Sequence, residues 1–375
     1  MKIGLLREPD FEHRVALLPE AVQKLEKKGH QVLFEPDAGV KAFAHDSAYT
    51  ENGAVATKRT DILKNAELIL TIQPLPVKEL DHLQKGQIVV GVYNPLVNKD
   101  LVNQFKNKGL TLLSLDNLPR TTRAQAMDIL SSMATVAGYK SVLEAANRVP
   151  RFFPMFMSAA GTIKPAKMLI LGAGVAGLQA IGTARKLGAV VEVFDVRAAV
   201  KEEVQSLGGK FIEVEGAKDD KDAGGYAVEQ TDDFKNRQQE KIQEHAIKSD
   251  VIITTAQIPG KPAPKLITKA SIEQMKPGSV IIDIAASSGG NTELTEDNKV
   301  VYHNGVMIVG NSQISSDMAV DASRMFGNNV INFLEILTGE NSALKLDFED
   351  DIVAGCTITH EGDLISERIR KAYKN

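Results

Sequence analysis

The sequence predicts an α/β protein made of two doubly wound parallel sheets joined by long helices. Three observations predict it. The chain of 375 residues is long for a single hydrophobic core. Short β-rich apolar runs alternate with amphipathic helical patterns throughout, as in a parallel sheet covered by helices. The runs also fall into two sets, separated by one long helical pattern from Met127 to about Arg148.

The first set is KIGLL (2–6), QVLFE (31–35), AELILTI (66–72), QIVVGVY (87–93) and LTLLSL (110–115). Between the first two lies PEAVQKLEKKGH, with helical spacing at Val22 and Leu25 and a C-terminal stop at Gly29. The second set begins with AKMLILGAG (166–174) and AVVEVFDV (189–196), then KFIEV (210–214) and DVIITTA (250–256). It ends with SVIIDIA (279–285) and VMIVG (306–310), six strands in all, the number of a complete dinucleotide-binding domain. The tail carries FGNNVINFLEIL, another amphipathic helix, expected to return to the first domain. The expected division is therefore 1–130 with 318–375, and 131–317.

Composition excludes several classes. The chain has 43% hydrophobic and 25% charged residues, ordinary for a globular protein. A net charge of −4 gives no basic footprint for nucleic acid. The single cysteine, Cys356, cannot form an internal disulfide and fits a reducing compartment. The opening MKIGLLREPDFEHRVAL has a short strand and then charge, unlike a signal peptide. The most apolar stretch, 168–184, is too short for a membrane span and is broken by glycines and Gln179. The seven histidines are scattered without ligand spacing, so no metal site is expected.

One motif carries chemistry in its full context. Gly172, Gly174 and Gly177 follow the strand KMLIL and open the helix VAGLQAIGTARKLG. In such a Rossmann-like turn the first glycine permits the tight bend, and the second lets a pyrophosphate approach the backbone. The third lets helix and strand pack closely. Amide groups of the first turn, at Val175, Ala176 and Gly177, then face the phosphates. Asp195, at the end of the next strand, is placed to accept hydrogen bonds from the ribose hydroxyls, which favours NAD(H) over NADP(H). Its neighbours Val196 and Arg197 share that edge; Arg197 is expected to be ion-paired or exposed, although an arginine there could also hold a 2′-phosphate. Thr255 and Ala256 end the fourth strand, where QIPGKPAP follows as a proline-set loop.

Two stretches are unusual. About 35 residues, 215–249, separate KFIEV from DVIITTA, far more than an ordinary α/β connection. Gly224 and Gly225 beside Tyr226 suit a hinge carrying an aromatic group; a surface insertion is the plain alternative. The stretch RTTRAQAMDILSS, 120–132, crowds polar side chains before the long helix, where a solvated loop and helix start would also serve.

The chain resembles the NAD(H)-binding alpha subunit, domain I, of proton-translocating nicotinamide nucleotide transhydrogenase. The resemblance rests on PRTTRAQAMDILSSMATVAGYKSV, FPMFMSAAGTIKPAKMLILGAGVAGLQAIGTARKLGAVVEVFDVRAA, AGGYA and TTAQIPGKPAPKLIT with MKPGSVIID, and it covers nearly the whole chain. Alanine dehydrogenase is the related alternative through EHRVALLPE and the nucleotide fold. Its substrate lysine, catalytic histidine and active-site aspartate are replaced here by Gln73, by the Tyr93–Asn94 region and by Ser287, while Arg14 remains.

The resemblance implies direct hydride transfer between NADH and NADP⁺, the latter held by a partner subunit, with a membrane-spanning partner translocating protons. It implies that Arg120, Gln125, Asp128 and Ser131 hold the nicotinamide and its ribose, and that Tyr226 belongs to a mobile loop closing over the nucleotide. A carboxamide offers both donors and an acceptor, so these residue types suit it. Arg123 is expected to be structural or exposed. A homodimer on the cytoplasmic face of the membrane, held there by its partners, is the further implication. A module that binds NAD without catalysis would need the same glycines and Asp195.

Overall fold

A computed structural model describes residues 1–214, 231–338 and 343–374; the segment carrying Tyr226 lies outside them. The chain forms two compact units, residues 1–133 with 316–375 and residues 134–315. Both are α/β with parallel sheets, as the sequence predicts.

In the first unit eight strands line up as Asp363–Leu364, Thr357–His360, Thr111–Ser114, Ile88–Gly91, Leu68–Leu70, Lys2–Leu5, Gln31–Phe34 and Val55–Ala56. The first strand sits inside the sheet, parallel to Gln31–Phe34 on one side and to Leu68–Leu70 on the other. Chain order reverses there, which makes the carboxyl ends of these two strands the place where an open α/β sheet leaves a crevice. The helix Pro19–Lys27 starts on a proline, buries Ala21, Val22 and Leu25, and ends before Gly29 at φ 83°. Helix Ala319–Ile336 buries Ala322, Phe326, Val330 and Phe333, and joins the same core as Leu5, Val32 and Leu70.

The second unit holds seven strands in the order Lys210–Phe211, Val190–Phe194, Lys167–Leu171, Val251–Thr254, Val280–Asp283, Val306–Gly310 and Lys299–His303. Its reversal falls between Lys167–Leu171 and Val251–Thr254, both fully apolar at their centres and buried. The sequence predicts six strands; Lys299–His303 is the seventh, antiparallel to Val306–Gly310. It is a short edge strand, KVVYH, with largely exposed side chains, so its apolar residues form no buried run or alternation that a hydrophobic pattern would mark. A separate hairpin pairs Phe156–Ser158 with Gly161–Ile163.

The long helix runs Ile129–Arg148, not from Met127, because residues Arg123–Met127 wind more tightly as a 3₁₀ turn first. The division between units falls inside this helix at its first crossing, and ahead of helix Ala319–Ile336 at the second, so only one crossing is helical. Among the described residues no helix is long and apolar enough to cross a membrane.

Candidate functional site

The glycine turn of the second unit has the geometry of a phosphate cradle. Gly172 takes φ 105°, a conformation L side chains rarely adopt, and donates its amide to Phe194 O at 2.8 Å. A Cβ on Gly177 would lie 1.9 Å from the Gly172 carbonyl oxygen, so only glycine lets the helix Val175–Lys186 sit this close. A Cβ on Gly174 would meet nothing within 4 Å. That open approach, at the N-terminus of a 12-residue helix, suits an anion. Val175 is exposed beside it and Ala176 is buried.

Asp195 lies just beyond. Its Oδ2 accepts from the Ala173 amide at 2.7 Å and from Arg197 Nη2 at 2.8 Å. Its Oδ1 accepts from the Arg197 amide and Nε, both at 2.9 Å. Arg197 is thus paired to the carboxylate it follows. Val196 turns to the apolar side with Phe194 and Ile212.

Thr255 closes the other side of the turn, its hydroxyl 3.2 Å from Leu171 O and 3.3 Å from Gly172 O. Ala256 is held by a residue that no sequence motif singles out. The Asn291 side chain accepts from Ala256 N at 3.1 Å and donates to Ala256 O and Pro264 O, each at 2.9 Å. Asn291 in turn hangs on Asp283, which ends its strand fully buried. The Asp283 carboxylate accepts from the amides of Ala285 at 3.0 Å, Asn291 at 2.6 Å and Thr292 at 3.3 Å, and from the Thr295 hydroxyl at 2.6 Å. A carboxylate ending the apolar run SVIID is the one signal of it in the sequence.

In the first unit the structure brings Asp128 and Ser131 together. Asp128 Oδ1 accepts from the Ser131 amide at 3.0 Å and Oδ2 from its hydroxyl at 2.5 Å, which caps the helix Ile129–Arg148. Gln125 lies within the preceding 3₁₀ turn and Arg120 just before it, both exposed. The turn is anchored from beneath, since Asn329 and Asn332 both donate to Ala126 O, at 2.8 and 2.9 Å. Arg123 has a structural role, as expected: it pairs with Asp350 at 2.6 and 2.7 Å.

A second polar cluster occupies the carboxyl edge of the first sheet. Glu12 accepts from Arg14 Nε at 2.7 Å and Nη2 at 2.6 Å, and from Gln73 Nε2 at 2.8 Å. Burial opposes ionising Glu12, but the Arg14 guanidinium prevails and holds its carboxyl below the ordinary range. Glu8 accepts from the amides of Ile72 and Gln73, and burial pushes its carboxyl up to about 7. Tyr93 is buried with its hydroxyl on Thr71 and the Leu75 amide, a core position. Asn94 and Ser287 are exposed. Among the described residues no group of histidine, cysteine and carboxylate side chains could hold a metal ion.

Residues 4–137 match the description "Alanine dehydrogenase/PNT, N-terminal domain", and residues 141–367 match "Alanine dehydrogenase/PNT, C-terminal domain". The chain is 43% identical to the first portion of the NAD(P) transhydrogenase alpha subunit of Rhodospirillum rubrum, over 97% of this chain and 98% of that protein. Identity to the alanine dehydrogenase of Mycolicibacterium smegmatis is 26%, over 99% of this chain and 96% of that protein. The crystal structure of transhydrogenase from Sinorhizobium meliloti superposes with a TM-score of 0.89 at 40% identity, covering 97% of this chain and 100% of that one. With both of its halves matched, the chain belongs to the alanine dehydrogenase/PNT family.

Proposed function

We propose that this chain is the NAD(H)-binding subunit of a proton-translocating transhydrogenase. In this reading Gly172, Gly174 and Gly177, with the amides of Val175 and Ala176, hold the pyrophosphate, and Asp195 receives the adenosine ribose, with Val196 and Arg197 beside it at the same strand end. Thr255 and Ala256 line the far strand end, and Tyr226 belongs to a closing segment. Arg120, Gln125, Asp128 and Ser131 orient the nicotinamide. When bound, the nicotinamide supplies the hydride, which passes to NADP⁺ on a partner subunit. The chain's own work is placement and exclusion of water, since direct transfer between two carbons needs no protein proton acceptor. A membrane-spanning partner completes the coupling, and the chain works as a homodimer on the cytoplasmic face.

The observation that carries this over alanine oxidation is the Glu8–Glu12–Arg14–Gln73 cluster. It holds one cation against two carboxyl groups, and Gln73 spends its amide on Glu12 rather than adding charge. A substrate carboxylate gains little there. Relatives at 43% and 40% identity bear the transhydrogenase name, which supports the same reading.

The test has two stages. NADH binding is followed by nucleotide fluorescence, with little background because the chain has no tryptophan. Hydride transfer to an NADP⁺ analogue is then measured with and without an NADP(H)-binding partner subunit. Binding without any transfer in the partner's presence would reduce the chain to a nucleotide-binding module.

A further inference from the structure

The carboxylate assigned to the ribose is already full. A carboxylate offers about four lone-pair positions, and Asp195 receives four donors: the Ala173 amide, the Arg197 amide, Arg197 Nε and Arg197 Nη2. Two of these are main-chain groups and cannot leave without moving the glycine turn or the start of the 3₁₀ turn Ala198–Val200. The other two belong to one guanidinium on a rotatable stem. It is also the outer member of the pair, with 22% of its side chain exposed against 7% for Asp195. A ribose diol presents two hydroxyl donors at neighbouring carbons, a match for the bidentate face the guanidinium now covers.

We propose that Arg197 is a built-in competitor for the ribose-binding carboxylate, so that nucleotide binding is an exchange of the guanidinium for the two ribose hydroxyls. This rests on the assignment of Asp195 to the ribose. The exchange lowers NAD(H) affinity relative to an open Asp195. It also leaves a displaced cation beside the 2′ position, where a phosphate can use it and a hydroxyl gains less. Arg197 therefore narrows the preference that Asp195 creates, and its removal shifts the two nucleotides in opposite directions.

Adenosine is the deciding probe, because it carries the ribose without the phosphates that a lost cation would also affect. Its affinity is read by displacement of NADH fluorescence from the full chain and from Asp195→Ala, Arg197→Ala and Arg197→Lys. Asp195→Ala is expected to weaken adenosine by about tenfold, the loss of roughly one good charge-assisted bond; no change would remove the ribose assignment and this inference with it. Where that assignment stands, Arg197→Ala is expected to bind adenosine tighter by about threefold or more. Arg197→Lys, with one contact in place of a fork, should fall between and decides the matter by the same sign if Arg197→Ala fails to fold. Unchanged or weaker adenosine binding in the arginine variants overturns the competitor role and leaves Asp195 as an ordinary acceptor.

Discussion

Asn291 engages Ala256 through both of the alanine's backbone polar groups, accepting from its N–H at 3.1 Å and donating to its C=O at 2.9 Å. The same amide nitrogen also reaches Pro264 O, so one fully buried side chain fixes both ends of the loop between them. Asn291→Ala leaves one donor and two acceptors without that partner. These groups are only partly buried, so each falls toward the low end of the about 1–3 kcal/mol that a buried unsatisfied group costs, and a total loss of roughly 3 kcal/mol is expected in urea unfolding. Asn291→Asp should be at least as damaging, because a carboxylate would face two carbonyl oxygens. A loss within experimental error for both would mean that the loop holds its shape without the clamp.

Gly177 and Gly182 lie on one helix but should respond oppositely to alanine. At Gly177 the new Cβ meets the Gly172 carbonyl oxygen at 1.9 Å, a backbone atom that cannot rotate aside. Gly177→Ala should therefore displace the turn and weaken NADH binding by about tenfold or more. At Gly182 a Cβ meets nothing within 4 Å, so Gly182→Ala should raise stability by about 0.8–1 kcal/mol through helix propensity alone. Thermal melts and NADH titrations of the pair separate the steric effect from the general one. Unchanged NADH affinity in Gly177→Ala would show that the turn tolerates expansion.

The Glu8 carboxyl sets a pH dependence in the first unit. Its pKa is raised by burial from the ordinary 4.5 to about 7, so the folded state binds a proton more tightly than the unfolded one across that window. Stability from this group is fully present below 4.5 and is lost as pH rises through about 7. Glu12 works in the other direction and lower down, losing its contribution as pH falls beneath the ordinary carboxylate range. Glu8→Gln should flatten the decline between pH 4.5 and 7 in urea titrations of the first unit. A slope that persists in the variant would place its origin elsewhere.

Much of this was legible in the sequence, and the remainder was hidden for physical reasons. The strand and helix that flank Gly172, Gly174 and Gly177 follow from local needs: an apolar run, a bend at positive φ, and a helix start. The central strands of both sheets are buried on both faces and show as continuous apolar runs. The strand Lys299–His303 and the short Val55–Ala56 lie at sheet edges with mostly exposed side chains, so periodicity does not mark them. Polar bonds between distant positions leave no pattern at all. Glu12 and Gln73 are 61 residues apart, and Asn291 and Pro264 are 27 apart; only the folded sheet brings them into contact.

The loop from Arg120 to Ser131 separates a functional role from a solvated helix start most sharply. Asp128 is bonded to Ser131 in the structure, so Asp128→Asn should cost about 1 kcal/mol or less as a helix cap, because an amide oxygen can still accept the Ser131 amide. Arg120 and Gln125 are exposed, and the turn beneath them is anchored at Ala126 by Asn329 and Asn332. Their substitution should therefore leave the fold intact. If they orient the nicotinamide, and if the adenosine and pyrophosphate are held at Asp195 and the glycine turn as proposed, Arg120→Ala and Gln125→Asn should keep most NADH affinity. What they should lose is ring placement, and displacement by about 1 Å can slow transfer by about a hundredfold. Single-turnover hydride transfer with the NADP(H)-binding partner, beside NADH titrations, reads the two effects separately. Near-normal transfer rates in both variants would leave the loop as a solvated helix start, whereas slow transfer at preserved affinity is the signature of orientation.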